Sequence, residues 1–85
     1  MDYQLQISKK SRKFLASLDL KMSVKIGVAI DKLTGNPHPP GSIKLADSED
    51  AYRIRVGDYR VIYQIQELVL VVFVIRIGHR KDIYR

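Results

Sequence analysis

An α+β domain is predicted by three features of this 85-residue chain. A short alternating run opens it, two amphipathic helical segments follow, and the hydrophobic period of the second half drops to two. The expected order is β-α-α-β-β-β, with a two-helix hairpin on one face of an antiparallel sheet. Residues 1–85 read as a single domain, since the chain has no internal repeat and no low-complexity linker. A domain of this length buries only about 60% of its unfolded surface. With 46% hydrophobic residues it still has enough apolar side chains for one core.

The first strand is expected over residues 3–8, "YQLQIS", where Tyr3, Leu5 and Ile7 alternate with polar neighbours. Ser8 is positioned to cap a helix through "KKSRKFLASL", with Phe14, Leu15 and Leu18 on one side. Asp19 restarts the chain. Met22, Ile26, Ala29, Ile30 and Leu33 then recur at spacings of three and four, predicting a second helix over 20–34. Gly35 is the expected C-cap, and "NPHPPG" cannot continue a helix. After a loop with room for one short strand come "YRIRV", "YRVIYQI" and "LVLVVFVIRI", separated by Gly57-Asp58 and Gln66-Glu67. Gly-X in a two-residue loop is a type II′ hairpin signal, and short turns make neighbouring strands antiparallel. The last run is apolar at nearly every position, so it is expected to be central and buried on both faces.

Composition removes several classes of function. There is no cysteine, hence no disulfide and no thiolate metal site, as befits a reducing cytosol. The start lacks the apolar run of a signal peptide, and "LVLVVFVI" (68–75) is too short to span a bilayer. A cytoplasmic protein with no membrane partner is therefore expected. Fifteen Lys and Arg against nine Asp and Glu give a net charge of +6, which points to a polyanionic or acidic partner.

The cations cluster. Counting outward from a turn at Gly57-Asp58 pairs Val56 with Tyr59, Arg55 with Arg60, Ile54 with Val61, and Tyr52 with Tyr63. The apolar members form a core face. The other face sets Arg55 against Arg60, with Arg53 two residues away. Like charges directly opposed on a hairpin cost about 0.2–1 kcal/mol. An anion on that face would relieve the repulsion, and arginine's planar fork of donors suits phosphate.

The C-terminal stretch "IRIGHRKDIYR" adds His79, Arg80, Lys81, Tyr84 and Arg85 within seven residues. These are the residue types that metal-free RNA cleavage would use. The 2′-hydroxyl must lose a proton, the phosphorus centre gains negative charge, and the 5′-oxygen must gain a proton. Histidine and tyrosine move protons, arginine stabilises charge, and tyrosine can stack on a splayed base. Other chemistries have little support. His38 lies between prolines with no second ligand at metal spacing, the carboxylates are scattered, and there is no Gly-rich phosphate loop. No metal and no cofactor are expected.

The pattern "YRIRVGDYRVIYQI" followed by "VFVIRIGHRKDIY", in this order of elements, resembles the RelE/ParE superfamily of toxins from type II toxin–antitoxin pairs. The resemblance covers roughly residues 3–84. It implies a toxin whose partner is a cognate acidic antitoxin. For the RelE branch it implies an endoribonuclease that enters the ribosomal A site, contacts ribosomal RNA, and cuts mRNA there without metal, so inhibiting translation. In that pattern Arg53 and Arg55 match the basic positions before the Gly-rich turn, Arg60 the arginine of the next strand, Arg80 the arginine after the last strand, and Tyr84 the C-terminal tyrosine. Arg60, Arg80, Tyr84 and His79 are thus the candidate catalytic residues, and Arg53, Arg55, Lys81 and Arg85 the candidate RNA-binding ones. Lysine is familiar at the first two positions. Arginine does not deprotonate in proteins, so proton transfer shifts to His79, Tyr84, or the ribosome and substrate. The alternatives are the ParE branch, which inhibits DNA gyrase, and an inactive module that binds RNA or antitoxin.

Overall fold

The computed structural model describes residues 2–83; the candidates Tyr84 and Arg85 lie outside the described residues. Seven elements follow in order: β1 (Gln4–Ile7), α1 (Lys9–Ser17), α2 (Leu20–Lys32), β2 (Ile43–Lys44), β3 (Ala51–Val56), β4 (Tyr59–Gln66) and β5 (Val71–His79). Both helices start where a side chain can satisfy their free amides. Ser8 Oγ accepts from Ser11 N–H at 3.1 Å, and Asp19 Oδ1 from Met22 N–H at 2.8 Å. The second helix stops at Lys32 with Leu33 as its C-cap, ahead of the expected Gly35.

The five strands form one sheet in the order β1-β5-β4-β3-β2. Its α+β character is as expected, but the sheet is mixed. β1 runs parallel to β5, while every other pair is antiparallel. Short turns dictate direction only between β3, β4 and β5. β1 reaches the sheet through the helices and the whole meander, so no hairpin fixes its sense.

The β3–β4 hairpin has the expected register, with Arg55 opposite Arg60 and Val56 opposite Tyr59. Gly57 sits at φ 60° while Asp58 stays out of the left-handed region, the pattern of a type II′ turn. The next turn is longer than two residues. It occupies 67–70, with Leu70 at φ 54° and Leu68 fully exposed. β5 is an interior strand, flanked by β1 and β4, but it is not buried on both faces: Ile75 is 38% exposed. An uninterrupted apolar run has no period to reveal which side faces solvent.

The core lies between the helix hairpin and one face of the sheet. Ile26, Ile30 and Leu33 of the second helix and its cap meet Ile54, Val56, Val61, Tyr63, Val72, Val74 and Ile77. Tyr63, wholly buried, donates to Pro37 O at 2.7 Å, tying the proline-rich loop to the sheet. No described helix is long and apolar enough to cross a membrane.

Candidate functional site

None of the five strands contains an acidic residue. The charged side chains of β3, β4 and β5, leaving His79 aside, are Arg53, Arg55, Arg60 and Arg76. All four belong to the face turned away from the helices. Strand alternation sets Arg53 and Arg55 opposite in sense to the core residues Ile54 and Val56, and Arg60 to Val61.

Arg76 reaches that face because of a bulge. Ile62 pairs with Arg76, but Tyr63 pairs with Val74, so Ile75 has no partner on β4. The extra residue reverses the alternation of the strand beyond it, sending Ile77 into the core and Arg76 to the arginine side. Arg76 was not among the residues the sequence singled out. Its signal was a lone cation within an apolar run. Ile62 links Arg53 and Arg76 across the sheet, as the pairing partner of each. An Arg76 nitrogen lies 3.4 Å from Asp82 O.

The arginines differ in setting. Arg55 is exposed and Arg53 partly so. Arg60, although on the face away from the core, is only 8% exposed. Its Nη1 donates to Gly57 O at 3.1 Å and to Tyr59 O at 3.0 Å, so the guanidinium caps the turn that precedes it. Among the described residues no carboxylate pairs with it. It is a nearly desolvated cation held by neutral carbonyls, a setting in which an incoming anion would interact strongly.

The C-terminal candidates divide. Arg80 joins the turn: its N–H donates to Asp58 O at 2.8 Å, and its Nε lies 3.8 Å from Asp58 Oδ1. His79 pairs with Tyr59 and takes that residue's side, the helix side, with the two rings edge to face at 5.5 Å. Phe14 of α1 packs on Tyr59 from 6.0 Å. The imidazole is thus set on the face of the sheet opposite the arginines. Its Nδ1 accepts from Lys81 N–H at 3.2 Å, so a neutral ring carries its proton on Nε2 and offers a donor there. Lys81 itself is exposed.

The far end of the sheet has the opposite character. A concavity of about 430 Å³ there is lined by Glu49, Asp50, Ile65, Glu67, Leu68 and Val69. Its acidic rim repels polyanions. The end that carries the Gly57-Asp58 turn, with Arg55, Arg60 and Arg80, has no such acidic cluster among the described residues.

Comparison with known proteins identifies relatives of the fold. Residues 5–84 match the family model of the ParE toxin of type II toxin–antitoxin systems. A protein of Escherichia coli named for its likeness to RelE toxins is 31% identical over 88 residues, spanning 99% of this chain and 92% of its own. The fold superposes on RelE of the archaeal RelE–RelB complex from Pyrococcus horikoshii with a TM-score of 0.85, at 32% identity over 96% of this chain and 99% of that one. For the isolated E. coli RelE toxin the values are 0.80 and 26%, covering 96% and 90%.

Proposed function

The chain belongs to the RelE/ParE superfamily of type II toxins, and from that premise we propose that it is a ribosome-dependent, metal-independent mRNA endoribonuclease. The observation that carries this reading is the sheet face whose strands hold Arg53, Arg55, Arg60 and Arg76 and no acid. Such a face suits an RNA backbone bent to expose one phosphate. Arg53, Arg55 and Arg76 hold flanking phosphates. Arg60 and Arg80, both bonded to the Gly57-Asp58 turn, meet the charge that builds on the phosphorane oxygens as the 2′-oxygen attacks and the 5′-oxygen leaves. Tyr84 orients the base or donates to the leaving oxygen, and groups of the ribosome and substrate complete the proton transfer. His79 shapes the turn. Lys81 and Arg85 add longer-range attraction for ribosomal RNA.

The partner is an acidic antitoxin that covers the arginine face. RelE is bound to RelB in the P. horikoshii complex, and the same is true of the E. coli RelBE complex. A net charge of +6 suits a partner of opposite sign.

One observation favours the gyrase-inhibiting branch instead: the matching family model is that of the ParE toxin. A translation assay with mapped mRNA ends separates the two. Cleavage only when ribosomes are present supports the proposal. Intact mRNA together with gyrase-mediated DNA breaks supports the other branch.

A further inference from the structure

After β5 the chain turns back on itself, and the turn is tied down in four places. Asp82 N–H and Ile83 N–H both donate to His79 O, at 2.8 and 3.0 Å. Arg80 N–H donates to Asp58 O, and Asp82 O faces the Arg76 guanidinium. The fourth tie is apolar. Ile83 is 2% exposed and lies over Gly78. A Cβ added to Gly78 would meet Ile83 Cδ1 at 3.0 Å, Cβ at 3.6 Å and Cα at 3.7 Å. The missing side chain is the space that Ile83 occupies.

Backbone conformation does not explain this glycine, because Gly78 lies outside the left-handed region. A glycine within a strand weakens it through chain entropy and lost packing, so its presence calls for a close approach. Gly78 is the strand partner of Arg60, so Ile83 is seated over the position next to Arg60 in the sheet. The residue after Ile83 in the sequence is Tyr84.

We propose that Gly78 and Ile83 form a seat that positions the C-terminal segment, fixing Arg80 at the Gly57-Asp58 turn and setting where the chain departs toward Tyr84. Both are positioning residues, and the inference rests on the endoribonuclease reading. Alanine at 78 forces Ile83 to shift by a few tenths of an ångström. Small displacements of groups that must align with reacting atoms lower turnover steeply, while binding by the arginine face is spared.

Two measurements on the full chain test the seat: hydrogen exchange at the Asp82 and Ile83 amides, and single-turnover mRNA cleavage on ribosomes. Gly78→Ala is expected to lose protection at both amides and about tenfold in kcat, with KM and Tm close to wild type. Adding Ile83→Val removes the Cδ1 that collides, and this double variant is expected to regain both. A purely structural glycine would give a lower Tm and no such rescue. Should Gly78→Ala fail to fold, Ile83→Ala empties the seat from the other side and is expected to lose the same protection and turnover. Unchanged protection in Gly78→Ala, or a double variant no better than the single, overturns the proposal. If wild type cuts no mRNA, the endoribonuclease reading falls, and the exchange measurements still decide whether the seat exists.

Discussion

Arg55 and Arg60 are paired directly across the β3–β4 hairpin, yet one is exposed and the other folds its guanidinium back onto the carbonyls of Gly57 and Tyr59. The fold thereby separates two like charges that the register forces together. It does so by spending the donors of Arg60 on its own turn. The two arginines should consequently respond oppositely to truncation.

Arg60→Ala is expected to lower stability by about 1–2 kcal/mol: two hydrogen bonds from a charged donor are lost, largely offset by relief of the repulsion and of the cost of burying the cation. For a domain of this size that is a fall of roughly 4–16 °C in Tm. Arg55→Ala removes the same repulsion without the bonds, so its Tm should equal or exceed wild type. Cleavage by Arg60→Ala, measured well below its Tm, should fall by about 10²–10³, as for a deleted oxyanion donor. Equal Tm values for the two variants would contradict the capping role.

Arg76→Ala tests the contribution of the bulge. If Arg76 contacts a phosphate, its loss should weaken RNA binding uniformly across sequences. The slope of log K against log salt should become shallower by about one. A slope equal to that of wild type would remove Arg76 from the interface.

The hairpin was legible in the sequence because Tyr52 to Val61 alternate about a glycine placed where a type II′ turn needs positive φ. That fixed the register and the arginine side together. Three things were not legible. A period of two gives the side from which Arg60 departs but not where a long side chain comes to rest. The apolar run 68–77 has no polar phase, so neither the bulge at Ile75 nor the facing of Arg76 could be read from it. And His79 is adjacent in sequence to Arg80, but alternation along β5 turns it away from Gly78 and the arginines.

The antitoxin interface should be charge-driven. Its affinity is expected to fall progressively as salt rises from ~50 to ~500 mM, since exposed charges are screened within about 3–10 Å over much of that range. Titration calorimetry across the series checks this. A flat response would mean that apolar contacts dominate.

Burial pushes the Tyr63 phenol up to about 12. The unfolded chain releases this proton near 10. Stability is therefore unaffected below about pH 10, falls between 10 and 12 as the unfolded state alone loses the proton, and then levels off. The loss should reach about 2–3 kcal/mol. Tyr63→Phe should lack this alkaline loss while being about 1 kcal/mol less stable at neutral pH, because Pro37 O loses its donor. Denaturant titrations at pH 7, 10 and 11.5 give both values.

The last prediction separates two roles for His79. One is to shape the turn, through Nδ1 accepting from Lys81 N–H; the other is to donate from Nε2. Asparagine keeps an acceptor near the backbone but cannot reach the Nε2 position. Glutamine carries an amide N–H to about that position and loses the near acceptor. The ring lies against Tyr59, across the sheet from the arginines, which argues for the turn. His79→Asn should therefore cleave at nearly the wild-type rate, with an unchanged profile from pH 5.5 to 9. His79→Gln and His79→Ala should lose about tenfold, the equivalent of one hydrogen bond of ~1.4 kcal/mol. Imidazole is the side chain whose ordinary titration falls in that pH range, so a profile that flattens in His79→Asn would return the histidine to the proton-transfer step. Rescue by glutamine and not asparagine would assign it the donor role.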